Sequence, residues 1–227
     1  MNNKILIGFS TGFLWHTYPR ASKEIIEICK NMGCKAIALH CPIEEIHLMN
    51  ELKPSDLRDF DFVSFHSPCG TENPDILDIV QEFHQKLQFD AVTIHPNEIK
   101  NWSDLKSYNI PFSVENMDNR KKVGRTLESM KELMSQNEYM VTLDINHCYV
   151  NDPTLKLAED LWNEFKDRIS HFHLSGYEGR HDPLLVTNQT EFIDFVKGKN
   201  KPIIIESVCQ DLDQAKKEFD YITGYLK

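Results

Sequence analysis

Eight short apolar runs recur along the chain: Lys4 to Phe9, Ala36 to Leu39, Phe62 to Phe65, Ala91 to Ile94, Pro111 to Val114, Met140 to Leu143, Ile169 to Phe172 and Pro202 to Ile205. Each is rich in Val, Ile, Leu or Phe, the composition of a strand buried on both faces. Between them apolar residues return at helical spacing, as Ile25, Ile26, Cys29 and Met32 do within Ser22 to Met32, and Leu127, Met130, Leu133 and Met134 within Arg125 to Met134. Asn73-Pro74, Asp152-Pro153 and Asn188-Gln189 predict further helix starts, each with a polar cap. The helices after the second and fourth runs are short. Eight βα units of about 28 residues account for all 227 positions, which predicts the α/β class and a single (β/α)8 TIM barrel over 1–227 rather than an open sheet with a second domain. The longest irregular stretch is expected at Ser175 to Asn188, and a long ordered loop in a compact domain is often functional.

The runs end in chemistry. Six of the last seven are followed by a residue that can bind a metal, in Ser64-Phe65-His66-Ser67-Pro68, Thr93-Ile94-His95-Pro96, Ser113-Val114-Glu115-Asn116, Thr142-Leu143-Asp144-Ile145-Asn146-His147, His171-Phe172-His173-Leu174-Ser175 and Ile204-Ile205-Glu206-Ser207. A lone histidine at a strand end is ordinarily structural or solvent-facing. In a closed barrel, however, all strands end at one mouth, so donors scattered over the chain meet there. Their recurrence predicts a metal-dependent enzyme.

Composition narrows the partners. With 25 Lys plus Arg against 35 Asp plus Glu, the formal charge of −10 disfavours nucleic acid and anionic membranes. Ile5 to Trp15 has the apolar character of a signal core, yet His16, Tyr18, Pro19 and Arg20 follow it instead of a small-residue cleavage site. No run approaches the roughly 18 residues of a membrane span. The six cysteines, at 29, 34, 41, 69, 148 and 209, show no disulfide framework. The expectation is a reduced, cytoplasmic protein acting on a small molecule, with a homo-oligomer left open and no nucleotide cofactor.

The strand-end motifs together resemble the xylose-isomerase-like TIM-barrel superfamily, which includes sugar isomerases and epimerases and the endonuclease IV family (AP endonuclease family 2). The resemblance spans His66 to Glu206. It implies that Glu115, Asp144, His173 and Glu206 form a metal quartet and that His147 reaches the same site. Similarity to endonuclease IV further implies His66 and His95 as ligands of an additional zinc, bridged by Glu115, with His181 a ligand of another. That second pattern is incomplete. Gly179-Arg180-His181 stands where the nucleases have Asp-Arg-His, and the tyrosine that commonly follows their first His-x-Pro is absent, Cys69-Gly70 following Pro68.

Three carboxylates and one imidazole suit Zn, Mn, Co or Mg with positions open to substrate oxygens. Such an ion acts as a Lewis acid on a carbonyl. Glu115 and Glu206, from the fifth and eighth strands, are expected to exchange protons with adjacent carbons of a bound sugar, with His147 a third catalytic candidate. The bland reading of either glutamate is an ion pair tying strand ends together. Trp15, in an aromatic loop with Phe13, His16 and Tyr18, is a candidate sugar-facing wall or a plug, and Arg180 and His181 are candidate substrate contacts. Arg120-Lys121-Lys122 is read as a solvated helix start, with phosphate contact as the alternative. His40-Cys41, Cys69, Cys148 and Cys209 fall just after strands, on the expected catalytic face, but the cysteines, although good zinc ligands, are ordinary buried residues by default. His16, His47, His84 and His171 are read as non-catalytic, His171 pointing away from the site. The leading function is an isomerase or epimerase of a small sugar, sugar phosphate or polyol. The alternatives are a zinc phosphodiester hydrolase and a barrel that binds metal or ligand without turnover.

Overall fold

A computed structural model describes residues 5–68 and 74–227; the cap at Asn73 and Cys69 lie outside the described residues, as does Lys4. The strands are β1 (Ile7–Phe9), β2 (Ala36–His40), β3 (Phe62–His66), β4 (Ala91–Ile94), β5 (Phe112–Glu115), β6 (Met140–Asp144), β7 (Ile169–Leu174) and β8 (Ile203–Ile205). Interleaved with them are helices α1 (Lys23–Asn31), α2 (Ile46–Met49), α3 (Pro54–Leu57), α4 (Pro74–Leu87), α5 (Trp102–Leu105), α6 (Leu127–Ser135), α7 (Ile145–Asn151), α8 (Lys156–Phe165), α9 (Leu184–Thr187), α10 (Thr190–Val196) and α11 (Leu212–Leu226). The units after β2 and β4 carry only one-turn helices, as expected.

All strand pairs are parallel, in the order β1-β8-β7-β6-β5-β4-β3-β2. The remaining seam, β1 to β2, is joined by Lys35 N–H to Ile7 O at 2.8 Å and by a bridge between Ser10 and Ala38. Gly8 permits that approach, because a Cβ there would lie 1.7 Å from the Ala36 carbonyl oxygen. The barrel is therefore closed by a close backbone contact rather than a full ladder.

Alternate residues of each strand face opposite ways. Outward, Ile37, Leu39, Val63, Phe65, Val92, Ile94, Val114, Val141, Leu143 and Phe172 join the core between sheet and helices. Inward, Ala36, Ala38, Phe62, Ala91 and Ile204 make a separate apolar cluster. Hydroxyls also fill the interior: Ser113 Oγ lies 2.7 Å from both Thr142 Oγ1 and Ser170 Oγ, and Thr93 Oγ1 is 3.2 Å from Thr142 Oγ1. At the N-terminal end of the strands the Arg168 guanidinium donates to the carbonyls of Met134, Asn137 and Tyr139.

Several expected boundaries shift. Ser22 caps α1, accepting from Ile25 N–H at 3.4 Å. Asp152, by contrast, terminates α7, and α8 begins only at Lys156, after Leu155 in the left-handed region. Asn188, at φ 55°, ends α9 rather than starting the next helix, because an asparagine tolerates that conformation. Thus Ser175 to Asn188 contains a helix, and the irregular stretch 116–126 is longer. Arg120-Lys121-Lys122 lies in that stretch, five residues before α6, and starts no helix. Among the described residues no helix is long and apolar enough to cross a membrane.

Candidate metal centre

The strand ends bring the predicted donors to one mouth. His66, Glu115 and Asp144 are the last residues of β3, β5 and β6; His95 and Glu206 directly follow β4 and β8; His173 is the fifth residue of β7. Glu115, 1% exposed, lies among them. Its Oε1 is 2.8 Å from His173 Nδ1, and its Oε2 is 3.0 Å from His95 Nε2 and 3.6 Å from His66 Nε2. His173 Nδ1 also lies 3.4 Å from Glu206 Oε1 and 4.0 Å from Asp144 Oδ2.

Two donor groups result among the described residues. His66, His95 and Glu115 form one, and Glu115, Asp144, His173 and Glu206 the other; within each, one ligand atom per residue lies within 4.8 Å of the rest. Glu115 belongs to both. Among the described residues Asp144 Oδ2 is buried with no hydrogen bond directed at it, while Glu115 Oε2 has only the His95 and His66 nitrogens beside it. A buried carboxylate oxygen left without a donor is costly, and a divalent cation satisfies that want. The mixed oxygen and nitrogen set fits such an ion.

The charges are strongly coupled. Burial alone would raise the Glu115 carboxyl, but His173, His66 and His95 reverse this and hold it well below the usual carboxylate range. Asp144 is raised, by burial first and then by Glu115 and Glu206, against the pull of His147. Burial would lower His173, yet Glu206, Glu115 and Asp144 push it up to about 9. A proton therefore sits on His173 at neutral pH where a cation would otherwise bind.

The second layer fixes these groups. Asn116 pairs with both backbone groups of Asp144, its Oδ1 accepting from Asp144 N–H at 2.7 Å and its Nδ2 donating to Asp144 O at 3.0 Å. Asp144 Oδ1 in turn caps α7, accepting from His147 N–H at 2.8 Å. His147 lies beside the quartet, with Nδ1 3.6 Å from Asp144 Oδ2, but that nitrogen is held by Asn116 O at 2.8 Å. His181 Nδ1 lies 3.8 Å from Glu206 Oε2 and 2.9 Å from Ser175 Oγ. Neither histidine belongs to the two donor groups.

A cavity of about 590 Å³ opens over the centre, lined among others by Trp15, His66, His95, Glu115, His147, Arg180, His181 and Glu206. Trp15 is 51% exposed at its rim. The other aromatic-loop residues lie elsewhere: Phe13 stacks on Phe9 in the core, and His16 reaches Gln210 O. The loop does not plug the mouth. Arg180 is carried by a loop that Asn146 holds, its Nδ2 donating to Gly176 O and Arg180 O. Cys41, Cys148 and Cys209 are buried thiols outside both donor groups; burial pushes Cys41 up to about 12 and raises the other two.

His171 corrects an expectation. Residues two apart on a strand share a face, so His171 points into the barrel beneath His173, with the two Nε2 atoms 3.2 Å apart. Of the other groups at the mouth, His40 was expected on this face without a role, whereas Asp118 and Arg20 were missed. His40, in register with His66 across the β2–β3 ladder, stacks on it at 5.0 Å. Asp118, buried beside His147, is paired with Arg120. Arg20 lines the cavity and lies over the Trp15 ring. His40 carried a legible signal, its place at a strand end; Asp118 and Arg20 sit in loops without one.

No family model and no curated protein matches the chain. Solved structures do. A xylose isomerase domain-containing protein from Salmonella typhimurium LT2 is 15% identical with a TM-score of 0.72, covering 100% of this chain and 99% of that one. The 3-keto-D-glucoside 4-epimerase of E. coli is 10% identical, TM-score 0.67, over 97% and 100%. D-allulose 3-epimerase from Methylomonas sp. is 13% identical, TM-score 0.64, over 99% of each. At such identities the likeness is one of fold alone.

Proposed function

We propose that the protein is a divalent-metal-dependent isomerase or epimerase acting on a small sugar, sugar phosphate or polyol. The observation that carries this is the convergence of Glu115, Asp144, His173 and Glu206 within 4.8 Å beneath an open cavity. Epimerases among proteins of the same fold support it. Glu115, Asp144, His173 and Glu206 would hold Zn, Mn, Co or Mg, and such an ion, when bound, polarises a substrate carbonyl.

The protein side chains divide the remaining work. Glu206, the most open of the quartet carboxylates, takes the proton from the carbon beside the carbonyl. Glu115, held ionised by its histidines, serves as ligand and second base. His147 is raised by Asp144 and Glu115 against burial; Asn116 O occupies its Nδ1, which leaves Nε2, 4.0 Å from Asp118 Oδ2, as the nitrogen that returns a proton. Trp15 offers an apolar face, and Arg180 and His181 bind substrate oxygens or an anionic substituent.

The test is deuterium exchange. Metal-loaded protein incubated with a panel of ketoses and their phosphates in D2O should label one carbon beside the carbonyl, and chelation should stop it. No labelling across neutral and phosphorylated sugars would remove the reading.

One observation favours a second reading, a zinc phosphodiester hydrolase: the group His66, His95 and Glu115, which a one-metal isomerase does not need. Two ions per chain, together with oxygen from water in the product phosphate, would select it.

A further inference from the structure

Resting on the cation reading of the quartet, we infer that His171 is a positioning residue that fixes the tautomer of His173, so that Nδ1 of His173 presents its lone pair to a cation held among the carboxylates. The carboxylates all lie on the Nδ1 side of His173, with Glu115 at 2.8 Å. The Nε2 side faces His171 Nε2 at 3.2 Å. Two imidazole nitrogens at that distance need one proton between them. A lone pair on His173 Nδ1 requires the proton on its own Nε2, so His171 Nε2 must accept.

The interior beneath His171 lets its Nε2 accept there, where Thr93 Oγ1 also lies 3.5 Å away. Neutral imidazole carries one N–H, and Ser170 Oγ lies 2.8 Å from His171 Nδ1. Ser170 Oγ can receive that proton and pass its own to Val141 O at 3.2 Å or to Ser113 Oγ at 2.7 Å. The chain thus runs His173 Nε2–H to His171 Nε2, His171 Nδ1–H to Ser170 Oγ, and Ser170 O–H onward. Every donor has an acceptor.

A local backbone irregularity produces this chain. Val141 pairs with Ile169 but Thr142 with His171, so Ser170 is the extra residue of a β-bulge in β7. Such a bulge re-aims the neighbouring side chains. Here it brings the Ser170 hydroxyl to His171 Nδ1 and Ser113. His171 itself is fully buried and is not among the residues that line the cavity, so its contact with the site runs through His173.

Long-range 1H–15N correlation spectra of histidine-labelled, zinc-loaded wild-type protein read both tautomers directly. The expected pattern is Nε2–H on His173 and Nδ1–H on His171. Zinc uptake with His171 protonated on Nε2 overturns the relay and leaves the metal site standing; no zinc uptake overturns both. A second arm compares His171→Phe with His171→Gln, whose side-chain oxygen can accept the same proton. By chelator competition the Phe variant should lose about 10- to 100-fold in zinc affinity and the Gln variant recover most of it, with metal-free melting temperatures of the pair alike. Wild-type affinity in the Phe variant would overturn the proposal.

Discussion

His95 Nε2 lies 3.0 Å from Glu115 Oε2, on the opposite oxygen of the carboxylate from the one that His173 approaches. One side chain thereby joins the two donor groups. Glu115→Gln removes a negative ligand from both, and a single substitution should cost more metal than loss of any one histidine. The expected outcome is depletion of bound ion by elemental analysis and at least about a 10²-fold fall in turnover, with the circular dichroism of the fold unchanged. Retained metal and activity would remove Glu115 from the centre.

His66→Ala together with His95→Ala separates the one-ion and two-ion readings. The isomerase reading expects the quartet ion to remain and substrate handling to weaken. The hydrolase reading expects the metal count to fall by one. Elemental analysis of the double variant beside wild type decides.

Stability should depend on pH in a direction that the histidines set. His173 is raised to about 9 in the metal-free protein, above the ordinary imidazole value of about 6.5. A group raised on folding contributes its full stabilisation below the unfolded value and loses it as pH rises through the folded one. His147 is shifted the same way. The melting temperature in chelator should therefore fall between about pH 6.5 and 9. A bound cation displaces the His173 proton, so the loaded protein should lack this fall and release a proton on binding, measurable by calorimetry in buffers of different ionisation enthalpy.

Arg180→Ala tests the substrate's charge. Asn146 steadies the loop that carries Arg180 beside the cavity, so a charge-assisted contact is available to a phosphate or carboxylate. KM for an anionic sugar should rise about tenfold or more while that for its neutral counterpart changes little. Equal effects would argue against an anion contact.

Gly8→Ala tests the seam. A Cβ 1.7 Å from the Ala36 carbonyl oxygen forces β1 and β2 apart. The urea midpoint should drop, with a loss of at least about 2 kcal/mol. An unchanged midpoint would show that this contact does not constrain closure.

The alternation of elements was legible because strands buried on both faces leave long apolar runs, and β4 has the predicted bounds Ala91–Ile94. Donors at strand ends were legible for a related reason, since their place after an apolar run is a local signal. Two things were not. The orientation of His171 follows from period two along β7, combined with a bulge at Ser170 that leaves no mark in the residue pattern. Arg20 and Asp118 reach the cavity through loop paths that only the closed barrel defines.

At the opposite end of the barrel from the cavity, Arg168 gathers the carbonyls of Met134, Asn137 and Tyr139. The peptide groups that brace the α6–β6 connection are thus satisfied at the end of the strands away from the candidate metal centre. Loops at the mouth can be exchanged or lengthened in the laboratory without disturbing that brace, which makes this small barrel a chassis onto which other binding loops can be grafted.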